Sequence, residues 1–165
     1  MALINGRGQI GTCLSRYKSK TRNYDIYHTW NFLDKSYKTQ KEEFKKLKNF
    51  LDSHDGKKKI VFISTKIKSK SYYYKFKIKA EKLIKKNSSN NLIIRLPSLI
   101  GKGIFDKLAK QLVKPFGIIE FVSIEEACNF IVKSLKKEGT LICEGWKVSA
   151  KNILEIMLLT KNCGS

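Results

Sequence analysis

Val61-Phe62-Ile63-Ser64-Thr65, followed after a short basic segment by Tyr73-Tyr74-Lys75-Phe76-Lys77 and Glu81, decides the reading of this chain. The first residues form a continuous apolar run ending in two hydroxyls, the pattern of a parallel strand buried on both faces. The later residues read as a helix in which Tyr73 and Lys77 are four apart and share one face. A Lys ammonium held near a Tyr hydroxyl favours the phenolate, so such a Tyr can act as acid or base near neutral pH. A hydroxyl at the strand end, Thr65 or secondarily Ser64, can hold a reacting oxygen. Tyr72 and Tyr74 lack a Lys at the same spacing.

A second motif stands at the N-terminus: Ala2-Leu3-Ile4-Asn5-Gly6-Arg7-Gly8-Gln9-Ile10-Gly11, continuing into Thr12-Cys13-Leu14. An apolar run enters Gly-x-Gly-x-x-Gly and an apolar helix start follows, the order a dinucleotide site demands. Gly6 permits the tight turn, Gly8 lets backbone approach a pyrophosphate, and Gly11 lets the helix pack against the strand. The helix N-terminus then offers free N–H groups to phosphate. The plain alternative is a glycine-rich turn after an N-terminal strand.

Together these motifs resemble the short-chain dehydrogenase/reductase superfamily, closest to its extended branch of sugar-nucleotide epimerases, dehydratases and reductases. The resemblance implies that Gly6, Arg7, Gly8, Gln9, Ile10 and Gly11 form the cofactor fingerprint. Tyr24-Asp25-Ile26-Tyr27-His28-Thr29-Trp30 is similar to the family's fourth strand, which places Thr29 against the cofactor. Tyr73 and Lys77 fall on the catalytic pair, with Lys77 also holding the nicotinamide ribose, and Thr65 or Ser64 falls on the catalytic hydroxyl. Glu81 matches a frequent acidic position one turn later. Leu92-Ile93-Ile94-Arg95-Leu96-Pro97 is similar to the next strand and turn, which brings Pro97 past the nicotinamide. Phe121 to Ala127 resembles the entry to a late helix of the small substrate domain.

Two departures qualify the resemblance. Only Leu14 to Asn23 separates the glycine helix from the next strand candidate, so the second and third strands are missing. That span holds Arg16, Lys18, Lys20 and Arg22, and no Asp or Glu lies between Gly11 and Tyr24. Basic residues there favour a 2′-phosphate, hence NADP over NAD, unless the adenosine half is simply open. The segment Lys66 to Tyr72 replaces a longer family loop, and Thr65 is followed by Lys66 and Ile67, which argues against a dehydratase.

The 165 residues suit one domain, with 42% hydrophobic residues to build a core. No apolar run approaches the ~20 residues of a membrane span. No signal peptide is expected, since Met1 leads directly into a strand. Cys13, Cys128, Cys143 and Cys163 are scattered and His28 is far from His54, so no metal site and a reduced, cytoplasmic setting are expected. The net charge of +20 predicts affinity for polyanions or phosphorylated substrates, against the plain reading of a lysine-rich solvated surface. Tyr72 to Tyr74 among lysines could stack on bases, but the strand–helix context explains them better.

Periodicity gives strands over 1–5, 25–29, 59–64, 92–96, 119–122 and 140–144. It gives helices over 10–17, 39–52, 72–86, 105–114, 124–137 and 150–160. The expected fold is a Rossmann-like parallel α/β sheet with helices on both faces, lacking its second and third strands. It forms a single minimised domain over 1–165, in which 102–165 is a vestigial substrate-side part. The first strand then becomes an edge. A homodimer through the helices near 39–52 and 72–86 is expected from related enzymes, with self-packing of the same residues as the alternative. The function read from the sequence is an NAD- or NADP-dependent oxidoreductase or epimerase acting on a sugar nucleotide or phosphorylated sugar. The alternative is a non-catalytic relative: a cofactor sensor, a polyanion or RNA binder, or a subunit of a larger assembly.

Overall fold

Serine caps and alternating apolar strands set the architecture, seen in a computed structural model of the chain. The structure describes residues 4–5, 8–100, 117–149 and 152. In chain order the elements are β1 (Ile4–Asn5), α1 (Gln9–Leu14), α2 (Lys18–Thr21), β2 (Tyr24–Tyr27), α3 (Tyr37–Asp52), β3 (Lys59–Thr65), α4 (Tyr72–Asn87) and β4 (Asn91–Leu96). After these come β5 (Ser98–Ile100), β6 (Ile118–Ser123), α5 (Ile124–Ser134), β7 (Gly139–Ile142) and β8 (Trp146–Ser149). The expected helices at 105–114 and, save for residue 152, at 150–160 lie outside the described residues, as do Gly6 and Arg7.

Strands β1, β2, β3, β4 and β7 pair in that order, all parallel, and β5, β6 and β8 form a second, mixed sheet. Alternate side chains of the main sheet feed two cores. Ile26, Val61, Ile63, Leu92 and Ile94 pack with Ile10, Cys13 and Leu14 of α1 and with Ala127, Cys128 and Ile131 of α5. Tyr27, Ile60, Phe62 and Ile93 pack on the opposite face with Leu47 of α3 and with Phe76, Ala80 and Ile84 of α4. Helix starts are written into the sequence. The Ser36 hydroxyl accepts from Thr39 N at 3.3 Å, and that of Ser71 from Tyr74 N at 3.3 Å. Ser123 and Glu126 form a capping box.

The missing strands leave a topological mark. Strand order advances in one direction from β1 to β4, yet α1 lies on one face and α3 and α4 on the other. Crossovers that advance the same way on opposite faces have opposite hands. The β1–α1–β2 connection therefore has the hand opposite to that of the α3 and α4 units, whereas such connections normally share the right hand. β1 is an edge strand, pairing only with β2 among the described residues.

Several boundaries shift from expectation. β2 covers 24–27 rather than 25–29, because the chain leaves the sheet at His28. α5 ends at Ser134, three residues early. The helix expected over 10–17 ends as α1 at Leu14 and runs on as a 3-10 turn (Ser15–Tyr17), and the basic stretch beyond it, expected to carry no element, forms α2. β5 and β8 are additional: each pairs with β6, a long-range partner that local periodicity does not reveal. Residues beyond 102 divide between roles, since β7 and α5 complete the main layers while β6 and β8 build the second sheet. Among the described residues no helix is long and apolar enough to cross a membrane.

Candidate functional site

Because β1 to β4 are parallel, their carboxyl ends share one edge of the sheet, where ligands of open α/β sheets bind. That edge gathers the start of α1, His28 and Thr29 after β2, Ser64 and Thr65 at the end of β3, Tyr73 and Lys77 on α4, and Pro97 after β4.

Lys77 is the centre of the arrangement. It is 3% exposed, and its Nζ donates to the Ile63 carbonyl at 2.8 Å. The ammonium lies over the rings of Trp30, Phe62 and Tyr73, at 4.6, 4.7 and 5.9 Å from their centroids. Burial brings its pKa down to about 7, against the opposing pull of Glu81 and Glu43. Tyr73 does not follow the sequence expectation of a lowered phenol. Burial alone acts on it and pushes its pKa up to about 12. Lys77 spends its bond on the Ile63 carbonyl and meets Tyr73 at the ring.

The two hydroxyls of β3 face opposite ways, as adjacent strand residues must. Ser64 Oγ donates to Glu81 Oε1 at 2.6 Å, and Glu81 takes a two-point bond from Arg95 at 3.0 and 2.6 Å. Ser64 and Glu81 therefore join α4 to β3 and β4. Thr65 Oγ1 accepts from Ile67 N at 3.1 Å, closing the turn after the strand. The following residue, Lys66, ties the two sheets together. Its Nζ donates to Glu120 at 2.7 Å and also to Glu144, and Glu120 accepts from Gly145 N at 2.8 Å. Gly145 is required here: a Cβ would lie 2.4 Å from the Phe121 carbonyl oxygen and 3.0 Å from Cγ of the buried Pro97.

On the phosphate side, Gly8 occupies the N-cap of α1 with no side-chain cap, and a Cβ added to it would meet nothing within 4 Å. Among the described residues nothing therefore crowds this position, as an approaching pyrophosphate requires. Gln9 is exposed, while Ile10 and Gly11 are buried toward α5. Thr29 lines an open cavity of about 600 Å³ with Tyr27, Trp30, Asn31, Glu43 and Lys46. Among the described basic residues of the shortened segment, Arg16 pairs with Glu125 at 3.2 Å.

Sequence reasoning gave His28 no role at this edge. Its buried Nε2 has no hydrogen-bond partner among the described residues, and burial followed by the Lys77 charge brings its pKa down to about 4. A His directly after an apolar strand, at the carboxyl end of a parallel sheet, was the available signal.

No protein-family model matches the chain, and no curated protein matches it. Solved structures do. The Bordetella bronchiseptica enzyme WbmG in complex with NAD has a TM-score of 0.63 and 14% identity, over 100% of this chain and 62% of the enzyme. A dTDP-4-dehydrorhamnose reductase from Clostridium acetobutylicum gives 0.67 and 19%, over 90% of this chain and 66% of its own. The Thermus thermophilus UDP-glucose 4-epimerase complex with NAD gives 0.60 and 13%, over 96% and 67%. At these identities the likeness is one of fold: a Rossmann-like α/β fold similar to that of extended short-chain dehydrogenase/reductase enzymes. The chain spans 62% and 66% of the length of the first two.

Proposed function

We propose that the chain is an NAD- or NADP-dependent oxidoreductase or epimerase acting on a sugar nucleotide or related phosphorylated sugar. The observation that carries this reading is the buried Lys77, held beside the Tyr73 ring and near His28 at the carboxyl edge of a parallel sheet, where β3 ends in Thr65. The NAD complexes of similar fold support the cofactor class. UDP in a second WbmG complex, at TM-score 0.66 and 15% identity, supports the substrate class.

Gly6 to Gly11 would hold the pyrophosphate, with Thr29 and Pro97 flanking the rest of the cofactor. The nicotinamide, when bound, would supply the hydride acceptor or donor. Tyr73, with its phenol at about 12, rests protonated and gives its proton to the substrate oxygen in the reducing direction. Lys77, at about 7, is partly charged near neutrality. Ribose hydroxyls accepting from its Nζ would favour the ammonium and draw the phenol down, making Tyr73 a base in the oxidising direction. Thr65 is the hydroxyl for the reacting oxygen, since Ser64 is committed to Glu81. Residues 1–165 would act as one minimised domain, with 102–165 contributing the small substrate-side part. All these groups come from one chain, so the site does not require a homodimer.

Calorimetric titration with NAD, NADH, NADP and NADPH at physiological salt tests the reading. Saturable binding is expected, lost in Gly8→Val, where open space around the Cβ position spares the fold. Tyr73→Phe should keep binding and abolish turnover of a sugar nucleotide. Failure of all four dinucleotides to bind, or undiminished turnover in Tyr73→Phe, overturns it.

A further inference from the structure

The side of α4 turned away from the candidate site carries a different chemistry. Tyr37 and Tyr72 are the first residues of α3 and α4, and they are 52% and 45% exposed. Their rings meet edge to face with centroids 5.4 Å apart. Tyr37 also meets the buried Phe76 edge to face at 5.7 Å, yet about half of each tyrosine stays open to a ligand. Each aromatic of this cluster has an ammonium above it: Lys41 at 5.9 Å from the Tyr37 ring, Lys75 at 5.4 Å from Tyr72, and Lys79 at 5.1 Å from Phe76. A shallow groove of about 390 Å³ runs along this surface between Tyr37, Tyr72, Lys75, Phe76 and Lys79.

The charge around the groove has one sign. α4 exposes Lys75, Lys79, Lys82, Lys85 and Lys86, and its single acid, Glu81, is buried against Arg95 and Ser64. α3 exposes Lys38, Lys41, Lys45, Lys46 and Lys48 against Glu42 and Asp52, with Glu43 buried. An isologous contact between two copies of this face would set lysines against lysines. A polyanion meets no such penalty, and the net charge of +20 draws it in.

We propose that the α3–α4 surface around Tyr37 and Tyr72 binds single-stranded nucleic acid, with bases stacking on the two tyrosines and phosphates pairing with Lys41, Lys75 and Lys79. The tyrosines make the distinction between classes of polyanion. Unpaired bases reach exposed rings, whereas duplex, sulfated polysaccharide and lipid headgroups offer charge without an accessible base face. Tyr73, between Tyr72 and Tyr74, turns toward Lys77 while Tyr72 turns toward Tyr37, so the two surfaces use different faces of α4.

Fluorescence anisotropy with a labelled twelve-nucleotide oligouridylate, a twelve-base-pair duplex RNA and vesicles containing anionic lipid tests this on the full chain. The single strand should bind at least tenfold more tightly than the duplex. Tyr37→Leu/Tyr72→Leu keeps an apolar contact with Phe76 but removes the ring faces, and should weaken the single strand by roughly tenfold or more. Lys41→Gln/Lys75→Gln/Lys79→Gln should reduce the slope of log affinity against log salt by about 2, the value for three phosphate contacts. Circular dichroism confirms that each variant is folded, and Lys136→Gln/Lys137→Gln should leave binding unchanged. Equal affinity for duplex and single strand overturns the proposal, as does unchanged binding in the folded double tyrosine variant. Tyrosine-dependent binding to vesicles alone, or a solution dimer that buries Tyr72, also overturns it.

Discussion

The β3–α4–β4 unit and the β1–α1–β2 unit carry the two halves of the proposed site on one sheet, and they are built very differently. β3 and β4 pair over six residue positions, β1 and β2 over two. α4 has 16 residues and a serine cap, α1 has six and no side-chain cap. The two crossovers have opposite hands. The chemical half is therefore fixed by its own length and caps. The phosphate half depends on α5, through contacts such as the Tyr17 hydroxyl donating to Asn129 Oδ1 at 2.9 Å. A chain can lose the strands that support the adenosine side and still keep the geometry around Lys77, because α1 and α4 pack in different cores on opposite faces of the sheet.

Core truncation should separate the halves most strongly. Phe62 is fully buried beneath Lys77 and Trp30, and Phe62→Ala should cost about 3–5 kcal/mol in urea unfolding. Leu14 is equally buried, but in a short helix beside an edge strand. Leu14→Ala should fall nearer 2 kcal/mol, the low end of such changes, since α1 can open without the rest. Equal or reversed costs in the pair would break the contrast.

The next effect is a pH dependence confined to the chemical half. Lys77 titrates at about 7 when folded against 10.5 otherwise. Between those values the unfolded chain holds a proton that the folded chain does not, so this residue makes stability rise with pH, by up to about tenfold in the folding constant per pH unit. The penalty is fully present below about pH 7. Glu43, Glu81 and His28 face the same ammonium and set the window. Lys77→Met should flatten the stability profile between pH 7 and 10, measured by urea unfolding at several pH values. A slope that persists unchanged would mean that Lys77 stays charged in the fold.

The contrast also explains what was legible in the sequence. β3, α4 and β4 were readable to within a residue, because an apolar run, Ser71 and a helical stripe are local signals. The partners β5 and β8 were not, since Ser98–Ile100 and Trp146–Ser149 become strands only by meeting β6. The site residues could be found by spacing, but not what each one does. Tyr73 and Lys77 are four apart in any such helix. Whether the phenol is lowered or raised depends on burial and on where Nζ points, and here the nearest acceptor is the Ile63 carbonyl. Thr65 ranked ahead of Ser64 on sequence grounds, but what Ser64 does instead was hidden, since its partner Glu81 lies 17 residues away and is held in turn by Arg95, 14 residues further on.

The smallest effect lies at the join between the halves. Gln40 is fully buried and accepts from Trp30 Nε1 at 2.7 Å, while its Nε2 donates to the Asn31 and Asp34 carbonyls at 2.7 and 2.6 Å. It thereby fixes the turn that follows His28 and Thr29 at the end of β2, the strand between β1 and β3. Gln40→Leu keeps the volume but strands the Trp30 N–H, at a cost of about 1–3 kcal/mol. If the turn positions the cofactor, the folded variant should also bind dinucleotide more weakly in calorimetry, with the Lys77 pH window unmoved. If the window moves as well, Trp30 and Lys77 act as one unit and the halves are coupled through the ring that covers the ammonium.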